Sequence, residues 1–210
     1  MKGDERVNSA TRIVVSTFGV LVALAGIEHG VGEILQGSVR PEGLAFESWA
    51  DSEAFEVLSG EPAMTIVPNL LVTGILAVIA AVAVGIWSLG FVERRHGGLV
   101  LILLSVLLLL VGGGFGPPLI GVIIGIGATR IGAPSGRRPG RVFRALGGAW
   151  AWILVIGVLG YLSLVPGTVV LSAVWGVDNP ALVLGFTAVA FAGLILALVA
   201  ARARDREGRS

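Results

Sequence analysis

Residues 19–37 read GVLVALAGIEHGVGEILQG, and the rest of the chain is read outward from them. On a helix, at about 100° per residue, Gly19, Ala23, Gly26, Gly30, Glu33 and Gly37 fall on one narrow stripe. Spacings of four and three in alternation mark the seam of two closely packed helices. His29 flanks that stripe one turn before Glu33, and Glu28 points to the opposite side. A helix with small residues on one face and a carboxylate on the other predicts neighbours on both. These are also the only ionisable residues that the first apolar segment carries at membrane depth.

The composition fits that reading. The chain has 210 residues, 55% hydrophobic and 14% charged, with a mean hydropathy of +0.91. The charged share is roughly half that of a soluble domain. Cysteine is absent, which removes disulfides, thiolate metal sites and a cysteine nucleophile. Apolar segments of about 20 residues recur between charged or Pro/Gly-rich loops, the pattern of a polytopic membrane protein.

The sequence predicts an all-α polytopic membrane protein, a single transmembrane domain over 1–210 built as a six-helix bundle of three hairpins. The helices are expected at about 13–36, 65–92, 99–112, 118–131, 146–165 and 181–201. A signal-peptide reading of the first segment is weaker, because the apolar pattern continues to Leu35. Between the first two crossings lies an acidic loop with Glu42, Glu47, Asp51, Glu53, Glu56 and Glu61. Within it Phe46, Trp49, Ala50, Ala54, Val57 and Leu58 recur at helical spacing, which predicts an amphipathic, extracytoplasmic segment over 44–60 lying as a lid on the bundle.

The middle hairpin is unusual. GGGFGPP at 112–118 interrupts it, with Gly114, Phe115, Gly116, Pro117 and Pro118 as the turn. Successive prolines forbid a continuous helix. Each arm would be only about 20 to 22 Å long, less than the roughly 30 Å hydrocarbon core. The pair either spans thinly or dips as a re-entrant element, giving six or four crossings. Gly121 and Gly125 form a GxxxG pair whose ordinary meaning is close helix packing.

Charge sets the expected orientation. With the amino terminus inside, fourteen of the fifteen basic residues fall on one side and only Arg40 lies opposite. By the positive-inside rule both termini are cytoplasmic, in a prokaryotic inner membrane. The basic run 130–144 is expected to lie beside anionic headgroups rather than to bind nucleic acid.

Helix rise places Glu28, His29 and Glu33 in the outer third of the membrane. Asn69 and Thr73 of the second crossing reach a similar layer, as do Tyr161 of the fifth and Thr187 of the sixth. These seven residues are the candidate lining of an outward-facing polar pocket, a site for a proton or small cation. A carboxylate at such depth is costly and tends to be protonated, paired or wet. Gly19, Ala23, Gly26, Gly30, Gly121 and Gly125 are the candidate packing residues. No catalytic set, resident metal or cofactor is expected, since HExxH, Walker A and GxSxG are all absent. Two functions compete, with an enzyme a distant third. One is a membrane assembly or interaction partner, a homo-oligomer or a complex with another membrane protein. The other is a small transporter or channel-like protein, proton-coupled through Glu28, His29 and Glu33. The sequence alone slightly favours the first.

Overall fold

A computed structural model describes residues 9–50, 52–132, 140–177 and 179–207. Arg137 and Arg138 of the basic loop, Asp178 and both chain ends lie outside the described residues. Within them the protein is mostly helical: α1 (Ala10–Gln36), α2 (Leu70–Gly90), α3 (Gly97–Leu110), α4 (Gly116–Ala128), α5 (Arg141–Gly148), α6 (Trp150–Leu162), α7 (Thr168–Trp175) and α8 (Pro180–Glu207). Four helical stretches are long and apolar enough to cross a membrane: α1, α2, the run from Trp150 to Trp175, and α8. Helices α3 and α4 are shorter apolar arms.

Helix α1 starts where the Ser9 side chain accepts from the Arg12 amide at 3.1 Å. The Asp205 carboxylate also accepts from the Ala10 and Thr11 amides, at 2.7 and 3.1 Å. Carboxylates are favoured at this position by the exposed N–H groups and the helix dipole. The contact ties the last helix to the first.

The seam of α1 lies against α2 and the α3–α4 hairpin. A methyl added at Gly30 would meet the Gly74 carbonyl at 2.7 Å, and one at Gly26 would meet Ala81 Cβ at 2.9 Å. Gly19 packs on Ser88, and Ala23 stands opposite Gly85. In the middle hairpin Gly121 packs on Ser105, and Gly125 on Ile102 and the Gly98 carbonyl. Small residues let backbones approach where lipid supplies no hydrophobic drive for association.

Two expectations are corrected. Residues 44–60 do not form one amphipathic helix. Strands β1 (Ala45–Glu47) and β2 (Pro62–Met64) pair antiparallel with Phe46 opposite Ala63, and only Glu53–Leu58 winds, as a 3₁₀ turn. Trp49 and Phe55 stack at 4.6 Å across that turn. A short run of apolar residues fits either element; the pairing partner at 62–64 lay beyond the run that suggested a helix. The helix expected over 146–165 also does not end near Val165. It passes Pro166 in a single π turn, Ser163–Gly167, and continues as α7 to Trp175. The wider turn accommodates a residue without an amide donor, and the Thr168 hydroxyl donates to the Leu164 carbonyl.

Candidate functional site

The hairpin brings loop side chains onto the polar flank of α1. Ser48 and Trp49 extend the β1–β2 pairing through their amides to the carbonyls of Glu61 and Gly60, at 3.1 and 3.0 Å. Gln36 Nε2 donates to the carbonyls of Glu47 and Ser48, at 3.0 and 2.8 Å. Gly32 provides the room, since a methyl there would strike the Trp49 ring and the Ser48 carbonyl. The hairpin is thereby fixed directly above His29.

His29 is 4% exposed and Glu33 0%. The His29 Nε2 and Glu61 Oε2 atoms are 3.0 Å apart, while His29 Nδ1 is 2.9 Å from Ser48 Oγ. The Ser48 hydroxyl donates to Glu33 Oε1 at 3.3 Å. A serine has one proton to give. In the tautomer that donates Nδ1–H to Ser48, the Nε2 lone pair faces the Glu61 oxygen and a proton or another cation sits between them; in the other tautomer Nε2–H donates to Glu61.

Glu28 completes the cluster. One donor atom each from Glu28, His29 and Glu61 lies within 4.8 Å of the others. Both Glu28 carboxylate oxygens are buried and lie against the Glu61 carboxyl and the Trp49 indole. Burial pushes the Glu61 carboxyl above its ordinary value, partly offset by Glu28. Glu61 also holds a left-handed backbone, φ 51°, following Ser59 at 54° and Gly60 at 64°. A non-glycine residue in that region costs about 1 to 2 kcal/mol, and such strain concentrates at functional sites.

The Gly/Pro turn closes the site from beside. Gly112 and Gly114 have φ of 98° and 73°. A methyl on Gly112 would overlap the Glu33 carboxylate and Thr73, and one on Gly114 the His29 imidazole. Pro117 and Pro118 occupy the first turn of α4, where missing amides are harmless. The bundle covers the turn through a Thr65–Val111 bridge and a 3.1 Å bond from the Ile66 amide to the Leu110 carbonyl.

Of the seven residues expected to share a pocket, Glu28, His29 and Glu33 meet at the hairpin. Thr73 packs beside Gly112 and shares a 3.1 Å contact with Thr65 Oγ1. Tyr161 and Thr187 border a cavity of about 230 Å³ that His29 and Glu61 also line, with Phe115 and Pro117. Asn69 is corrected: it caps α2 by accepting from the Val72 amide at 3.1 Å and donates to Ser38, away from the site. Ser48 and Glu61 were missed. Nothing in spacing separates Glu61 from the five other acids of its loop; only the hairpin register selects it.

The chain matches no protein-family model, no curated protein and no solved structure, so a functional reading rests on the site itself.

Proposed function

We propose that the chain is a small multi-pass transporter or channel-like protein of a prokaryotic cytoplasmic membrane. Its working centre binds a small cation between Glu28, His29 and Glu61. The observation that carries this reading is the 3.0 Å approach of His29 Nε2 to Glu61 Oε2, beside a Glu28 carboxyl whose oxygens are buried and face the same Glu61 carboxyl. A proton satisfies one such contact; a divalent ion is offered a ligand atom by each of the three side chains. Ser48 and Glu33 would then serve as the outer groups that orient a ligating imidazole. Two donors 3.0 Å apart, each about 2.1 Å from an ion, subtend about 90°. That angle suits an octahedral ion held by oxygen and imidazole better than a tetrahedral one. The cation is cargo on this reading.

The expected orientation has both termini inside, on the strength of the one-sided count of basic residues. The α3–α4 hairpin then enters from the cytoplasm and ends beneath the β hairpin. The native chain has no cysteine, so Phe115→Cys introduces a unique thiol. On this topology it is protected from impermeant reagents applied outside. Ready labelling would mean that the turn reaches the outer aqueous phase.

Titration of the chelator-treated full chain with Mn²⁺, followed by loss of the free-ion paramagnetic signal, tests the site. One ion per chain is expected, with affinity falling at least tenfold in Glu28→Gln and in Glu61→Gln while Glu42→Gln is unaffected. Equal affinity in the wild type and the Glu28/Glu61 double variant would overturn divalent binding here. Absence of cation-coupled flux in proteoliposomes would overturn transport and leave the assembly role.

A further inference from the structure

At the opposite end of the bundle, beside the arginines, α1, α4, α5 and α8 enclose a cavity of about 420 Å³. One wall is aliphatic, from Ile123 and Ile126 on α4 and Ile195 and Leu198 on α8. The other end carries Arg130, Arg202 and Arg206, together with Thr11, and Arg202 donates to the Arg130 carbonyl. Among the described residues no carboxylate lines it, and the nearby Asp205 is committed to the amides of Ala10 and Thr11.

We infer that this cavity is a binding site for one anionic phospholipid, its phosphate held by Arg130, Arg206 and Thr11 and an acyl chain lying along α4 and α8. Two buried polar atoms lack the partner that such a headgroup would supply. Thr11 is 1% exposed and its Oγ1 makes no hydrogen bond; Arg206 Nε is likewise buried and unbonded. Buried donors without partners are uncommon and call for an explanation. A phosphodiester offers acceptors to both at once, and arginine matches its geometry well.

The dimensions agree with a lipid rather than a free anion. From Ile195 to Arg206 the helix rises about 16 Å, close to half of the roughly 30 Å hydrocarbon core. The cavity is therefore about one leaflet deep from its apolar end to its charged end, with the arginines at headgroup level. Basic pockets between transmembrane helices are the usual seats of anionic headgroups. A second consequence follows from position. The site touches α1 on one side and α8 on the other, where the first and last helices already meet through Asp205, so the lipid would act as a clasp between them.

Native mass spectrometry and thermal melting of the delipidated full chain test this with three probes: phosphatidylglycerol, phosphatidylcholine with the same acyl chains, and inorganic phosphate. The expected result is one phosphatidylglycerol retained per chain with a raised melting temperature, and little or no retention of the zwitterionic lipid. Arg130→Gln combined with Arg206→Gln should weaken retention at least tenfold. Thr11→Val, which keeps the shape and removes only the hydroxyl, should weaken it several-fold with the unliganded melting temperature unchanged. Equal retention of both lipids, or full retention by the arginine double variant, would overturn the proposal. Binding of inorganic phosphate as tight as that of the lipid would replace it with a small-anion site.

Discussion

The pair α1–α2 and the pair formed by the Trp150–Trp175 run with α8 are joined by the same device and put to different use. Each closes on facing glycines, Gly30 with Gly74 in the first and Gly157 with Gly193 in the second. Yet 56% and 44% of the apolar windows of α1 and α2 are buried, against 22% for each of the later spans. Close approach is therefore common to both, and burial is not. The first pair is wrapped by the middle hairpin and the β hairpin, a cover that buried polar groups and irregular backbone need within a membrane. The second pair turns most of its surface outward and has few such groups to cover among the described residues: Tyr161, Thr168 and the π turn at Pro166.

The sharpest test uses two glycines with similar backbones and different surroundings. Gly114 and Gly176 have φ of 73° and 62°. A methyl on Gly176 meets nothing within 4 Å, whereas one on Gly114 overlaps the His29 ring. Gly176→Ala should cost only the left-handed backbone penalty of about 1 to 2 kcal/mol. Gly114→Ala should cost that plus about 1 to 3 kcal/mol of overpacking, and should also disturb Mn²⁺ binding. Denaturant melts of the two variants in one detergent measure the difference. Equal losses would mean that the turn is not held against the imidazole.

A smaller effect separates the helix pairs themselves. A methyl at Gly74 or at Gly193 would in each case strike backbone of the partner helix, at Gly30 and Gly157 respectively. Each alanine variant should destabilise by about 1 to 3 kcal/mol. Only Gly74→Ala displaces the end of α1 that carries Glu33, so only it should lower cation affinity. If Gly193→Ala lowers affinity as much, the two halves are more tightly linked than the Tyr161–Leu21 contact of 3.4 Å suggests.

What was readable in the sequence follows the same division. Helical seams are legible because their signal is periodic and local: Gly19, Gly26 and Gly30 recur every seven or four residues, and the basic residues fall on alternate loops. The β hairpin was not legible, because its apolar residues fit a helix period equally well and its register depends on a strand fifteen residues on. The helix expected over 146–165 stops short because a proline and a glycine at 166–167 interrupt the apolar pattern, and the π turn that carries the chain past them leaves no periodic signal. Glu61 carries no local mark of any kind, although it supplies a third of the cluster. The site was half visible: the α1 residues that face it could be placed by depth, and the loop residues that complete it could not.

Glu61 offers the finest discrimination between cover and chemistry. Its left-handed backbone is a cost that glycine would not bear, and its carboxyl is raised by burial. Glu61→Gln keeps the strained backbone and the side-chain volume but removes the charge; Glu61→Gly removes both strain and side chain. If the residue served only to shape the hairpin, the glycine variant should be the more stable of the two by about 1 kcal/mol and cation affinity should be unchanged in both. If it is retained for its carboxylate, both variants should lose affinity alike, while the glycine variant still melts no lower than the glutamine one. Sign matters as well. A carboxyl with a raised native pKa contributes stability that is complete below the ordinary carboxylate range and lost as pH rises through the raised value. The metal-free wild type should therefore melt lower at pH 8 than at pH 5, and Glu61→Gln should flatten part of that slope. An unchanged slope in the variant would assign the pH dependence to other groups and leave Glu61 with a purely structural part in the lid.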